Sequence, residues 1–143
     1  MARRLEELPI YARAVAFERA VIALLDRPAF GRNRHLHDQI SHAIDSVLAN
    51  MQEGFEQPTD RALEKYLFNA KGSAAEVCRR LESAHRRRYI TDAELRECRA
   101  LGEEIGRMLG GWIRYLAGCD WKDRGRHHSI LRMKGPGPEP CDQ

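Results

Sequence analysis

Residues 36–76 read LHDQISHAIDSVLANMQEGFEQPTDRALEKYLFNAKGSAAE. Two helices and the turn between them are legible here. Leu36, Ile40, Ala43 or Ile44, Val47 and Met51 recur at helical spacing, and so do Leu63, Leu67, Ala70 and Ala74. Gly54 and Pro58 stop the first run, and Thr59 or Asp60 can cap the second. Each run also carries a polar triad at i, i+4 and i+7: Ser46, Asn50 and Glu53, then Asn69, Ser73 and Glu76. Those offsets put three side chains on one helix face. Both stripes are expected to face the bundle interior, where they would meet, satisfy one another and fix helix register.

Upstream, Pro9 suits a first helical turn, and Ile10, Ala14, Phe17, Val21 and Leu24 form a heptad-like seam. This predicts a first long helix over about Leu8 to Asp26. Pro28, Gly31 and Asn33 mark a connection, with Asn33 as N-cap of a second helix ending near Phe55. The third helix continues through Val77, Leu81 and Ala84 to about Arg88. Thr91-Asp92-Ala93-Glu94 reads as a capping box for a fourth. Its seam is Leu95, Cys98, Leu101, Ile105, Met108, Trp112 and Tyr115, ending near Gly118. No strand-like alternation occurs. Four helices with short connections predict an all-α, antiparallel up-down-up-down four-helix bundle over residues 1–118. Residues 121–134 then carry five Lys or Arg against Asp123, and Pro and Gly dominate 135–140. A basic, Pro/Gly-rich, mobile tail is expected over 119–143.

A chain of 143 residues is one domain, long enough to bury a core without disulfides or metal. A net charge of +3 argues against a uniformly basic molecule, so any basic site must be local. The cysteines, Cys78, Cys98, Cys119 and Cys141, form no C-x-x-C pair. Cys78 and Cys98 fall on apolar stripes and read as small buried hydrophobes. Free cysteines, no apolar run long enough to span a membrane and a charged start without an apolar h-region point to the cytoplasm.

Five arginines, Arg79, Arg80, Arg86, Arg87 and Arg88, crowd ten residues in which Glu82 is the sole acid. Cations favour a helix C-terminus, but five exceed what the dipole requires. The planar guanidinium suits phosphate, so this cluster is the candidate nucleic-acid-binding surface. Gly102, Gly106 and Gly110 fall at i, i+4 and i+8 on the fourth helix. Each interior glycine costs about 1 kcal/mol relative to alanine, so the row implies close approach of another backbone and is the candidate packing site. Glu82 and His85 form one E-x-x-H, but a di-iron bundle needs two. His35, His37, His42, His127 and His128 read as solvent-exposed rather than as ligands. No metal site, cofactor or catalytic group is expected, and no nucleotide-binding or hydrolase motif occurs. Rivals to nucleic-acid binding are a protein-interaction module and a metal-dependent bundle using Glu53, Glu76, Glu82 and His85.

These residues resemble a family. Leu36-x-x-Gln39-Ile40, Asn50-x-x-Glu53-Gly54, Ala70-x-Gly72-Ser73-x-x-Glu76 and Tyr89-Ile90 follow in order, after Leu8-x-x-Tyr11-x-x-Ala14. They are similar to the bacterial four-helix-bundle proteins encoded by intervening sequences of 23S ribosomal RNA genes. The resemblance covers about residues 8–116. It implies a homopentamer, with five bundles in a barrel around a central channel. A related branch, the accessory variability proteins of diversity-generating retroelements, binds nucleic acid and a reverse transcriptase through a basic surface. Ser41-His42 departs from the basic pair common there, which shifts weight to the Arg79–Arg88 cluster. The tail is also atypical. In a ring of heterologous contacts the glycine row would admit a neighbouring subunit.

Overall fold

Apolar seams at helical spacing become the buried faces of helices, because only that face can leave water. A computed structural model of the chain describes residues 4–118. After a 3₁₀ turn at Leu5–Glu7 come α1 (Pro9–Leu25), the one-turn α2 (Pro28–Gly31), α3 (Arg34–Phe55), α4 (Asp60–Arg86) and α5 (Asp92–Gly118). The described residues contain no strand. The tail over 119–143, with Cys119, Cys141, His127 and His128, lies outside the described residues.

Local chemistry sets the helix starts. Pro9 opens α1, where its missing N–H costs nothing. The Asn33 side chain accepts from the Leu36 N–H at 3.1 Å, and Thr59 Oγ1 accepts from Ala62 N–H at 3.2 Å. Thr59, not Asp60, is therefore the cap of α4. The capping box before α5 forms in both directions: Glu94 N–H donates to Thr91 Oγ1 at 3.2 Å, and Thr91 N–H donates to Glu94 Oε1 at 2.8 Å.

The four long helices neighbour one another in the cycle α1, α3, α4, α5 and back to α1. Cross-helix pairs give their directions. Gly54 lies beside Tyr66 and Leu63, and Ser46 beside Ser73. Glu82 meets Arg99, and Cys78 meets Gly102. Arg13 meets Glu104, and Arg27 meets Glu94. In each set, numbers rise along one helix as they fall along the other. Each neighbouring pair is therefore antiparallel, and the chain runs up-down-up-down.

The seams of α1, α3 and α4 are buried as their periodicity predicts. On α5 the register differs. Leu101 and Met108 are only partly buried, while Gly102 and Leu109 face the core. A 3.5-residue seam drifts off a 3.6-residue helix, and Gly102 lets neighbouring side chains close in on the true face. A Cβ there would lie 2.5 Å from Cys78 Sγ and 3.0 Å from Phe17 Cζ. At one end of the bundle α2 buries Phe30 fully, with its ring edge-on to Tyr89 (centroids 5.4 Å, 64°). Pro28 and Gly31 alone predict only a connection here.

Candidate nucleic-acid interface

The basic cluster occupies the last two turns of α4 and the turn into α5. Arg79 and Arg86 are seven residues apart and share one face, and Arg80 and Arg87 share the next. Arg79, Arg86, Arg87 and Arg88 are exposed, while Arg80 is partly covered and pairs with Glu76 at 3.8 Å. Such an exposed pair is worth at most about 1 kcal/mol. Glu82, the acid within the run, is turned toward Arg99 of α5 at 3.6 Å. Among the described residues Arg79, Arg86, Arg87 and Arg88 have no acidic partner.

The helix stops at Arg86 rather than at the expected Arg88, and its end is built from backbone. Arg88 N–H donates to His85 O at 2.9 Å and Tyr89 N–H to Ala84 O at 3.0 Å. This is a Schellman closure, and it places Arg88 at φ 64°, where glycine is the usual residue. Beside it lies an open cleft of about 520 Å³ between the end of α4 and the start of α5, with Arg27, Arg86 and Arg88 on its wall. Arg27 also donates to both carboxylate oxygens of Glu94. The Thr91 N–H hydrogen bond is the main cause holding the Glu94 carboxyl below its usual range. Partial burial opposes it, and Arg27 adds to it.

The polar stripes correct an expectation. They do not face the interior. Glu53 and Asn69 are exposed, and Ser46, Asn50, Ser73 and Glu76 line the half-covered edge of the α3–α4 seam. The buried positions of these stretches are taken instead by Ala43, Val47, Ala70 and Ala74, and the triads lie at the rim. One bridge crosses that rim: Ser73 Oγ donates to Ser46 Oγ at 2.9 Å. The Asn50 amide donates to Ser46 O and Oγ, both at 2.8 Å.

The glycine row divides. Gly102 admits the protomer's own α1 and α4, as described. A Cβ on Gly110 would meet only the flexible ends of Arg114 and Lys71, at 3.3 and 3.4 Å. Gly106 has nothing within 4 Å of a Cβ, and neither has Gly72. Cys98 is buried and Cys78 half-buried, and desolvation pushes both thiols up to about 11. In the E-x-x-H pair, Glu82 serves Arg99 and the His85 ring faces Asp92. No three His, Cys, Asp or Glu gather as ligands among the described residues. No described helix is long and apolar enough to cross a membrane.

A family model described as 23S rRNA-intervening sequence protein matches residues 6–111, most of the chain. The chain belongs to that family. Searches of curated proteins and of solved structures find no match.

In this 23S rRNA-intervening sequence protein, the basic end contains residues that spacing along the chain does not single out. Arg27 comes from the turn between α1 and α2, more than fifty residues before the cluster, and reaches it because antiparallel α1 delivers that turn to the start of α5. Phe68 is the other omission. It follows Leu67 of the α4 seam directly, yet it is 55 % exposed. Its place one position after Leu67 rotates it off the buried face.

Proposed function

We propose that the protein is a non-enzymatic oligomeric scaffold that binds nucleic-acid backbone, or a nucleoprotein partner, through the basic end of α4. The observation that carries this reading is the set of four exposed arginines at Arg79, Arg86, Arg87 and Arg88, without acidic partners among the described residues. Guanidinium groups free of carboxylates are available to phosphate, and their spacing along two turns suits a chain of charges rather than one ion. A reverse transcriptase is the nucleoprotein partner that the resemblance implies, and a cytoplasmic location belongs to the same reading.

The assembly is a homopentameric barrel in this proposal. The exposed Phe68, the open Gly72 one turn beyond it and the open Gly106 on α5 support a contact between copies. A large apolar side chain beside small residues suits insertion into a neighbour. The same patch favours a second reading, a protein-interaction module that binds no nucleic acid.

Light scattering on nuclease-treated protein, with binding to single-stranded and duplex RNA titrated against salt, tests the proposal. Five chains of 16.4 kDa give about 80 kDa. Three to five phosphate contacts predict a loss of about one to three orders of magnitude in affinity between 50 and 200 mM salt. Replacing Arg79, Arg86 and Arg87 together by alanine should flatten that slope. Salt-independent binding, or none, would leave the protein-interaction reading.

A further inference from the structure

We infer that the cleft between α4 and α5 is a nucleotide-sized site, taking one phosphate on Arg86 and Arg88 and a planar base against Tyr89 and Ile90. The inference rests on the nucleic-acid reading above and deepens it by naming where one unit of the polymer is held.

The cleft measures about 520 Å³, within the range of about 300–1,000 Å³ usual for small-molecule sites. Its charged groups sort by partner. Arg27 is committed to Glu94, and the His85 ring to Asp92. Arg86 and Arg88 also line the cleft, are exposed, and have no acidic partner among the described residues. Two uncommitted guanidinium groups on one wall match the oxygens of a phosphate by charge-assisted hydrogen bonds.

Part of the remaining wall, beside His85, Thr91 and Asp92, is apolar. Tyr89 and Ile90 contribute it, and Phe30, wholly buried, sets the Tyr89 ring by an edge-to-face contact. A fixed ring beside a phosphate site gives a base a face to stack on, and such stacking tolerates any base. An acidic peptide would use the two arginines but leave this apolar wall unused, so a nucleotide fits more of the cleft.

Arg88 provides a clean test. Its φ of 64° is one that glycine adopts freely, so Arg88→Gly removes the guanidinium without disturbing the turn. Binding of adenosine 5′-monophosphate, adenosine, inorganic phosphate and a short single-stranded RNA would be titrated on the full chain. The same titrations would follow for Arg88→Gly, Arg86→Ala and Arg79→Ala. We expect the mononucleotide to bind more tightly than adenosine or inorganic phosphate. Arg88→Gly and Arg86→Ala should each weaken it about tenfold or more, as loss of a charge-assisted bond implies. Arg79→Ala, outside the cleft, should weaken only the RNA. Mononucleotide affinity equal to that of inorganic phosphate would overturn the base assignment. RNA binding without mononucleotide binding would overturn the cleft and spare the scaffold reading. Mononucleotide binding without RNA binding would do the reverse.

Discussion

Arg88 sits in a conformation that costs an L-residue about 1 kcal/mol and glycine almost nothing. Arg88→Gly should therefore leave stability unchanged or raise it by up to about 1 kcal/mol, read by chemical denaturation. A loss larger than that would mean that the side chain itself holds the turn. The glycines of α5 make a paired prediction. Gly102→Ala drives a Cβ to 2.5 Å from Cys78 Sγ and 3.0 Å from the wholly buried Phe17 ring, so one of them must shift. It should cost about 1–3 kcal/mol. Gly106→Ala meets nothing and should gain up to about 1 kcal/mol of helix propensity in the isolated subunit. Equal effects at the two positions would refute the division of the row. The thiols of Cys78 and Cys98, pushed up to about 11 by burial, should alkylate slowly at pH 8 in the folded protein and fast in denaturant.

The start of α5 is the element most dependent on one side chain. Glu94 closes the capping box and receives Arg27 from the turn after α1. Glu94→Ala should cost about 1–2 kcal/mol, from the cap and the cross-helix pair together. Glu94→Gln should show a pH dependence that the wild type exceeds. The carboxyl is held below its usual 4.5 in the fold, so its contribution is full above that value. It is lost as pH falls through the depressed folded value, because the unfolded chain then binds the proton first. Stability of the two proteins should therefore converge as pH falls from 4.5 through the depressed folded value. The capping box is legible in the sequence, since four adjacent residues suffice to define it. So are the seams of α1, α3 and α4, where burial repeats with the helical period. The register of α5 is not, because a glycine on the buried face is recognisable only from Phe17 and Cys78 opposite it. Phe30 likewise has no periodic partner to reveal it.

At the scale of the molecule, the protomer presents a basic end and a separate patch of Phe68 and Gly72 on α4. Gly106→Leu should lower the mass in solution if α5 receives a neighbouring subunit, with circular dichroism reading whether the protomer stays helical, and Gly106→Ala, whose Cβ meets nothing within 4 Å, as the control. A variant that keeps full mass would return Gly106 to the free surface. Helix period, cap residues and turn residues act over a few neighbours. Their order along the chain was therefore enough to settle four long helices, most of their ends to within two residues, and their antiparallel course. Depth and company are different, because they depend on how closely helices meet. Ala43, Ala70 and Ala74 take the buried positions of α3 and α4, and the polar triads are left at the rim. Antiparallel α1 brings the turn that carries Arg27 to the arginines of α4. No local pattern encodes either result, and the cleft beside Arg86 and Arg88 exists only once that turn meets the corner between α4 and α5.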